Sequence, residues 1–427
     1  MKFRVKAIAA ALGAVGALAA GQAMSAGFQL LEQNASALGN AYAGTAASAE
    51  DAATIFFNPA GMSFLSGTSA AISIDLVRPS AEFSPVNPNA LLAYPPLSGV
   101  FDDGGDAGDW AIVPALYFSY RLNPKVDLGF SINAPFGLKT EYTPSWVGRF
   151  HGIKSELQTM AIGASASYRI TDTVSLGFGL TAQKADAELT SAINPANLSA
   201  QSKLEGDDWG YGWNIGILAQ VTPSTRIGAS YRSEIKHEIE GSIVLTGPVF
   251  STPASADVKL PGIFTFSATH QLNDKWELLA DIAWTDWSVF DQLLVTVPPS
   301  PVFASGVAQR IPENWDDTWR FAVGANYRYN ERTKIRFGLA YDESPVPDQF
   351  RTVRIPDNDR TWLALGVQFK ITPKDALDIG YAHLFIDDAS LNTPALGTQA
   401  GAAAAIPLTG NYENSVDIVG FQYSRSF

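Results

Sequence analysis

Charged side chains recur at short, regular spacings in two stretches of the chain. In the first stretch they occupy every second position: Arg232, Glu234, Lys236 and Glu238. Residues at that spacing share one face of a β-strand, so the alternating charges predict a network of ion pairs along the strand, with a ligand site as the alternative. The second stretch combines three arginines with two aspartates: Arg351, Arg354, Asp357, Asp359 and Arg360. Either stretch could bind an anionic group, so the elements that position them decide what they do.

Residue patterns typical of enzymes are missing from the sequence. The four histidines are far apart and show no metal-ligand spacing: His151, His237, His270 and His383. The chain has no cysteine, which excludes disulfides and thiolate metal sites. It contains neither a Gly-x-Ser-x-Gly elbow nor a phosphate-binding glycine loop. We therefore expect no catalytic residue, no metal site and no cofactor.

Composition excludes further classes of protein. Only 17% of the 427 residues are charged and 11% are aromatic, whereas about 25% are charged in an ordinary soluble domain. The formal net charge of −13 argues against nucleic acid as a partner. After residue 25 the chain has no apolar run of about 18 residues, so a helical membrane protein is excluded.

The first 25 residues have the pattern of an export signal. Lys2, Arg4 and Lys6 precede a small-residue apolar run over 7–20, and Ala23-Met24-Ser25 supplies the small residues of a cleavage site. These features predict a signal peptide over 1–25, with Ala26 as the first residue after cleavage.

From about residue 67 onward, apolar residues occupy every second position. One run alternates Val126, Leu128, Phe130 and Ile132 with small or polar residues, and fourteen runs of this kind can be counted. Every second connection between consecutive runs is a tight turn: Asn123-Pro124, Thr171-Asp172, Thr222-Pro223-Ser224, Asn273-Asp274, Asn330-Glu331 and Thr372-Pro373. The intervening connections are longer, about 15 to 35 residues by this count, and short turns alternating with long loops are typical of outer-membrane barrels.

Alternation alone also allows a soluble β-sandwich, in which the apolar face would point inward. The even number of strands, the aromatic residues at strand ends and the terminal Phe427 favour the membrane. We therefore predict an all-β fold, a 14-stranded antiparallel transmembrane β-barrel over 67–427 with its apolar face toward lipid. Five tryptophans are expected to include interfacial girdle residues: Trp276, Trp284, Trp287, Trp315 and Trp319.

Residues 26–66 do not alternate. They are rich in alanine with short helical spacings, and Asn58-Pro59-Ala60-Gly61 ends the helical pattern. About 40 residues cannot form an independent core. The segment is therefore either a periplasmic linker or a small α-helical hatch that plugs the lumen, which would otherwise be wide enough to leak.

Several motifs make the chain similar to a known family. They are Ala26-Gly27-Phe28-Gln29-Leu30, Asn58-Pro59-Ala60, Asn133-Ala134-Pro135-Phe136-Gly137-Leu138, Gly212-Trp213-Asn214-Ile215-Gly216, Tyr231-Arg232-Ser233-Glu234, and Asp342-Glu343-Ser344-Pro345-Val346-Pro347 followed by Arg354-Ile355-Pro356-Asp357-Asn358-Asp359-Arg360. Over nearly all of the chain beyond the signal peptide, it resembles the FadL-type long-chain fatty acid transporters of the Gram-negative outer membrane. The last of these motifs is the most specific, and it precedes a predicted strand.

The resemblance implies a monomeric barrel closed by an N-terminal hatch that includes Asn58, Pro59 and Ala60. It implies that hydrophobic molecules enter apolar pockets, that Phe28 contacts them, and that movement of the N-terminus releases them. It also implies lateral exit where the third strand is kinked, at Asn133, Pro135 and Gly137. Proline lacks an N–H for the sheet. The alternative is that Pro135 simply ends the strand.

The resemblance implies a basic ligand-pocket residue at Arg310. A second basic position of the family falls on Glu188-Leu189-Thr190-Ser191, which contains no cation. Long-chain fatty acids are therefore the first substrate hypothesis, and neutral aromatic or alkane hydrocarbons are the alternative. A general diffusion porin, a barrel enzyme, and an adhesin or phage receptor are the other hypotheses.

The predicted location also implies partners. We expect contact with outer-membrane lipid and with lipopolysaccharide. The Arg351–Arg360 stretch could bridge lipopolysaccharide phosphates through divalent ions. The alternatives are that it holds loops together or that it captures ligand. Phe421, Tyr423 and Phe427 share one face of the last strand, as in terminal strands that the barrel assembly machinery recognises.

Overall fold

A computed structural model describes residues 26–86, 102–194, 197, 199–247, 249–393 and 407–427. The predicted signal peptide over 1–25 lies outside these residues.

The barrel consists of fourteen antiparallel strands, as predicted. They are β1 Ser69–Pro85, β2 Ala111–Asn123, β3 Val126–Asn133 with Gly137–Glu141, β4 Lys154–Arg169, β5 Val174–Ala192, β6 Gln201–Thr222, β7 Thr225–Arg232 with Ile235–Leu245, β8 Phe250–Leu260 with Ile263–Gln271, β9 Trp276–Thr285 with Gln292–Thr296, β10 Val307–Pro312 with Thr318–Arg328, β11 Thr333–Asp342, β12 Arg360–Thr372, β13 Asp375–Ile386 with Ala389–Thr393, and β14 Leu408–Ser426. Pairing of β1 with β14 from Ser69–Ser426 to Pro85–Gly410 closes the barrel.

The apolar face of the strands points outward. On β5, Leu176, Phe178 and Leu180 are exposed, while Ser175 and Gln183 are buried on the lumen side. A continuous surface of such side chains is typical of contact with lipid, since burying each large one away from water is worth about 2 kcal/mol. The predicted orientation is confirmed.

Some strands extend beyond the band of exposed apolar side chains. The connections after β5 and β7 are therefore short, and the expectation that they are long is wrong. β5 continues to Ala192 and β6 begins at Gln201, and only 246–249 separate β7 from β8. In the extensions the outer face carries ion pairs, such as Lys184–Asp186 at 2.7 Å and Lys203–Glu205 at 2.6 Å. Alternation continues there with charged rather than apolar residues on the outer face, which the search for apolar runs missed.

The first charged stretch is divided by a break in β7, so the predicted single network along the lumen wall is wrong. Lys236 and Glu238 pair at 2.8 Å on the exposed face. Arg232, on the other side of the break, instead donates to the Phe56 carbonyl oxygen at 2.6 Å inside the barrel.

The hatch fills the lumen with four short helices. They are α1 Ala35–Leu38, α2 Thr45–Ser48, α3 Thr54–Phe57 and the 3-10 helix Pro59–Phe64. Asn58 organises the turn before the 3-10 helix, because its side chain accepts from the Ala60 N–H at 3.1 Å and donates to the carbonyl oxygens of Ala46 and Ile217 at 2.7 and 3.0 Å. No helix of the described residues is long and apolar enough to cross a bilayer.

Two kinds of wall residue hold the hatch in place. Glycines allow close backbone approach, and a Cβ on Gly228 or Gly338 would overlap hatch backbone at Ala46 or Asn40. Five wall arginines bind hatch carbonyl oxygens that the short helices and turns leave free: Arg121 to Leu65, Arg169 to Ser63, Arg226 to Ser48, Arg232 to Phe56 and Arg320 to Ala41. The hatch is thus bonded to the wall around its circumference.

Gly228→Leu should displace the hatch and open an ion-conducting pore, because its side chain would occupy the position of the Ala46 carbonyl. Planar-bilayer conductance measures the effect, and we expect at least a tenfold rise over the wild type. Ala229→Leu, on the lipid-facing side of the same strand, is the matched control and should stay closed. Equal conductance in both variants would contradict this packing.

Candidate ligand pocket and wall opening

Strand β3 is broken in the middle of the wall. Both halves pair with β4, at Asn133–Ala161 and Gly137–Gln158, so three residues of β3 face two of β4. The strand resumes at Gly137, so Pro135 interrupts it rather than ending it. Asn133, Pro135 and Gly137 thus lie together at the break.

The break leaves an opening between β2 and β3. The pairing of these strands stops at Leu116–Ile132, although β2 continues to Ala111. The upper half of β3 pairs with β4 alone, and above it the Glu141 N–H donates to the Ala107 carbonyl at 3.1 Å. The result is a window in the wall bounded by paired backbone above and below.

The N-terminal segment fills this window from inside. Its Phe28 carbonyl accepts from the Gly137 N–H and its Leu30 N–H donates to the Pro135 carbonyl, both at 2.9 Å. Gln29 and Phe136 form an antiparallel bridge between these bonds. Unpaired backbone groups are costly beside lipid, so residues 28–30 complete the wall where β2 does not.

Phe28 itself lies in an aromatic pocket. Its ring centroid is 4.8 Å from that of Trp287, 5.5 Å from Trp315, 5.6 Å from Phe290 and 6.1 Å from Phe136. Buried aliphatic residues complete the cluster: Leu138, Ile239, Val258, Leu260, Val346 and Ile355. The pocket would fit an apolar ligand of similar shape once Phe28 has left.

Two of the five tryptophans among which girdle residues were expected, Trp287 and Trp315, belong to this pocket instead. Both are buried, whereas Trp276 and Trp319 are exposed as expected of girdle residues. Trp287 and Trp315 lie in the breaks of β9 and β10, where the chain leaves the sheet. Period-two alternation does not reveal such breaks, although Pro312 is a local signal for the second.

Gly27 anchors the N-terminal segment above the pocket. Its φ of 64° and the closeness of Trp315, 2.7 Å from where a Cβ would lie, both require glycine. Its N–H donates to Asp357 Oδ2 at 2.8 Å.

Asp357 is in turn fixed by the second charged stretch. Its carboxylate accepts from Arg360 and from the Ser344 hydroxyl, and its carbonyl accepts from Arg351. Four members of the stretch are buried: Arg351, Arg354, Asp357 and Arg360. Arg351 and Arg360 hold Asp357 against the N-terminus, while Arg354 ties the 343–359 loop to the wall through Ser155 and the Thr190 carbonyl. Their burial removes all four as lipopolysaccharide ligands.

Glu313 is a buried carboxyl at the edge of the pocket, in the loop above the lipid-facing Trp319. Its Oε2 accepts from the Trp315 indole N–H at 3.0 Å. Burial raises the pKa of Glu313 to about 8, opposed in part by that hydrogen bond and by Arg354. The side chain is therefore mostly neutral at pH 7.

A cavity of about 60 Å³ lies between the hatch and the wall, next to the break. Its apolar lining includes Leu30, Phe57, Pro135 and Phe136. Its charged lining was not predicted as a set: Arg232, Asp281, Arg320 and Asp342. Residues of β7, β9, β10 and β11 converge here only through the barrel register, which the sequence pattern does not display.

The predicted site residues fall in three places. Phe28 and the β3 residues lie together at the window, and the Asn58-Pro59-Ala60 motif lies elsewhere on the hatch, against Gly177 and Gly216 of β5 and β6. Arg310 pairs with Leu294 and is exposed, outside the cavity lining. The cations that do reach the cavity are Arg232 and Arg320.

The sequence of this chain matches a known protein family over almost its whole length. The family model described as "Outer membrane protein transport protein (OMPP1/FadL/TodX)" matches residues 16–427. The chain belongs to this family. It is 32% identical over 414 residues to the 47 kDa outer membrane protein of Pasteurella multocida, covering 90% of this chain and 92% of that protein. It is 29% identical over 415 residues to the long-chain fatty acid transport protein of Escherichia coli O6:H1, covering 88% and 90%. The protein is an outer-membrane protein of a Gram-negative bacterium.

Solved structures share the fold. A Pseudomonas aeruginosa FadL homologue superposes with a TM-score of 0.83 at 22% identity, covering 94% of this chain and 100% of that one. The Ralstonia pickettii toluene transporter TbuX gives 0.66 at 21% identity, covering 93% and 99%. The fourteen-strand barrel is therefore common to both.

Ionising Glu313 should loosen the pocket. The pKa of Glu313 in the folded protein is raised above its ordinary value of 4.5. Its protonated carboxyl group therefore stabilises the folded pocket fully below pH 4.5, and this stabilisation is lost as the pH rises through 8. Tryptophan emission should titrate with a midpoint near pH 8 as Trp315 loses its packing. Glu313→Gln should abolish that transition, and an unchanged titration in the variant would assign it to another group.

Proposed function

We propose that this protein is an outer-membrane channel for passive uptake of hydrophobic molecules, with long-chain fatty acids as the main substrates. The observation that carries the proposal is that Phe28 fills the aromatic pocket while residues 28–30 complete the broken wall. A ligand that takes the place of Phe28 therefore acts on the same short segment that closes the window.

Capture needs no energy source. Transfer of a fatty chain from water to an apolar pocket gains about 0.8 kcal/mol per CH₂, enough to offset the loss of the Phe28 contacts. Withdrawal of Phe28 pulls on Gln29 and Leu30 and breaks the two hydrogen bonds to Pro135 and Gly137. The ligand then moves through the cavity and leaves between β2 and β3 into the outer membrane.

The substrate class rests on the relatives and on the pocket. Relatives at 29% identity bear the name long-chain fatty acid transport protein. Neutral aromatic hydrocarbons are the second candidate, because structural neighbours are toluene transporters and the side chains around Phe28 are aromatic or aliphatic. A general diffusion porin is disfavoured by the hatch, whose bonds to the wall leave little open lumen.

We infer transport without catalysis, a monomer, removal of residues 1–25 on export, and insertion by the barrel assembly machinery through β14, where Phe421, Tyr423 and Phe427 are exposed. Lipid and lipopolysaccharide surround the exposed apolar and charged bands. Phe28 is the ligand-competing residue, and Asn133, Pro135 and Gly137 form the window.

A disulfide can test the window because the chain has no cysteine. Gln29 and Phe136 form a bridge whose flanking residues make the hydrogen bonds, and the Cα separation of about 4.5 Å in such pairs allows a disulfide. Oxidised Gln29→Cys/Phe136→Cys should lose at least nine-tenths of oleate uptake in proteoliposomes, because the segment can no longer leave the window.

Reduction should restore uptake in the double variant, and each single variant should transport in both redox states. Full transport by the oxidised double variant, with the disulfide verified by mass spectrometry, would exclude this exit route.

A further inference from the structure

Arg232 is a wall cation at the boundary between the hatch and the cavity. Its Nη2 donates to the Phe56 carbonyl at 2.6 Å, and its guanidinium carbon lies 4.0 Å from the centroid of the Phe56 ring. The side chain lines the cavity together with Tyr231, Phe56 and Pro135. Nη2 is thus committed to the hatch, while the other guanidinium N–H groups are available for a ligand.

Among the described residues, no carboxylate lies within 4.0 Å of Arg232. Two other buried arginines have such partners: Arg336 contacts Glu50 and Asp378, and Arg360 contacts Asp357. Arg320 and Arg354 form no such contact, but each lies within electrostatic reach of a buried carboxyl group, Asp281 and Asp342 for Arg320 and Glu313 for Arg354. Buried charges without an ionic partner are costly and are normally paired. A cation in this position therefore indicates a counterion supplied from outside the chain.

The other charges of the cavity direct an anion to Arg232. Asp281 and Asp342 also line the cavity and would repel an anion, but both lie within electrostatic reach of Arg320, which offsets them. The titratable group that acts on Arg232 is the Tyr117 hydroxyl, which is neutral and donates to the Gln33 carbonyl at 3.0 Å. The net positive side of the cavity is thus the side of Arg232.

We propose that Arg232 binds the carboxylate of a fatty acid in this cavity, beneath the aromatic pocket, and so selects acids over neutral chains. The inference rests on the proposed function. Leu30, Leu31, Phe57, Pro135, Phe136 and Ile263 would surround the tail. With the head held at Arg232, the tail extends along Pro135 and Phe136 toward the window, while the guanidinium replaces the water that solvated the carboxylate.

The test measures equilibrium binding of oleate and methyl oleate, two ligands with the same hydrocarbon tail, to purified full-length protein. Arg232→Gln should weaken oleate binding at least tenfold and change methyl oleate binding less than twofold. Arg232→Lys, which keeps the charge, should preserve the preference for oleate. Equal losses for both ligands, or none for either, would overturn the inference.

Arg226→Gln is the matched control. Arg226 also binds a hatch carbonyl, Ser48 at 2.7 Å, and lies over the Phe64 ring at 4.9 Å, but it is outside the cavity lining. Its variant should bind both ligands as the wild type does; selective loss of oleate binding there would assign the effect to hatch anchoring.

A wild type that binds neither ligand would refute the proposed function itself. A wild type that binds both ligands, with an unchanged ratio of the two affinities in Arg232→Gln, would refute only the role of Arg232.

Discussion

Every backbone group in the wall of a membrane barrel must be hydrogen-bonded, because lipid offers no partner. In this protein, strand β3 violates that requirement at Pro135, and β2 does not pair with the strand above the break. The requirement is met by residues 28–30, which bond to Pro135 and Gly137. The wall is therefore complete only while the N-terminal segment is in place, and much of the surrounding structure serves to hold it there.

In the proposed mechanism, ligand binding and wall closure are coupled through three consecutive residues. Phe28 fills the aromatic pocket, Gln29 bridges to Phe136, and Leu30 bonds to Pro135. Gly27 above them is tied to Asp357, while the rest of the hatch is fastened to the wall by glycine contacts and arginines. In the proposed mechanism only this short segment moves, so that the lumen would stay plugged against ions while a hydrophobic molecule passes sideways.

Period-two alternation in the sequence predicts the features that contact with lipid requires, but not the local breaks in the strands. The fourteen strands, their tight turns and their outward apolar faces follow from period-two spacing, because each exposed side chain such as Phe178 must suit the bilayer. Trp287 and Trp315 could not be placed from the same pattern, since breaks in β9 and β10 turn them inward toward Phe28, a residue far away in sequence. The charged residues show the same limit. Arg232 keeps the lumen side that alternation gives it, but the break after it places Lys236 and Glu238 on the exposed face, and Arg310 falls on the exposed face beside Leu294.

Photo-crosslinking with a fatty acid that carries a diazirine at its chain end tests the central claim most directly. Irradiated during uptake and mapped by mass spectrometry, the label should appear on Ala134–Phe136 and on 111–115 of β2, the two edges of the window. Labelling confined to the periplasmic side of the lumen, around Lys334, Gln368 and Thr372, would show that the ligand passes through the barrel and would contradict exit through its wall.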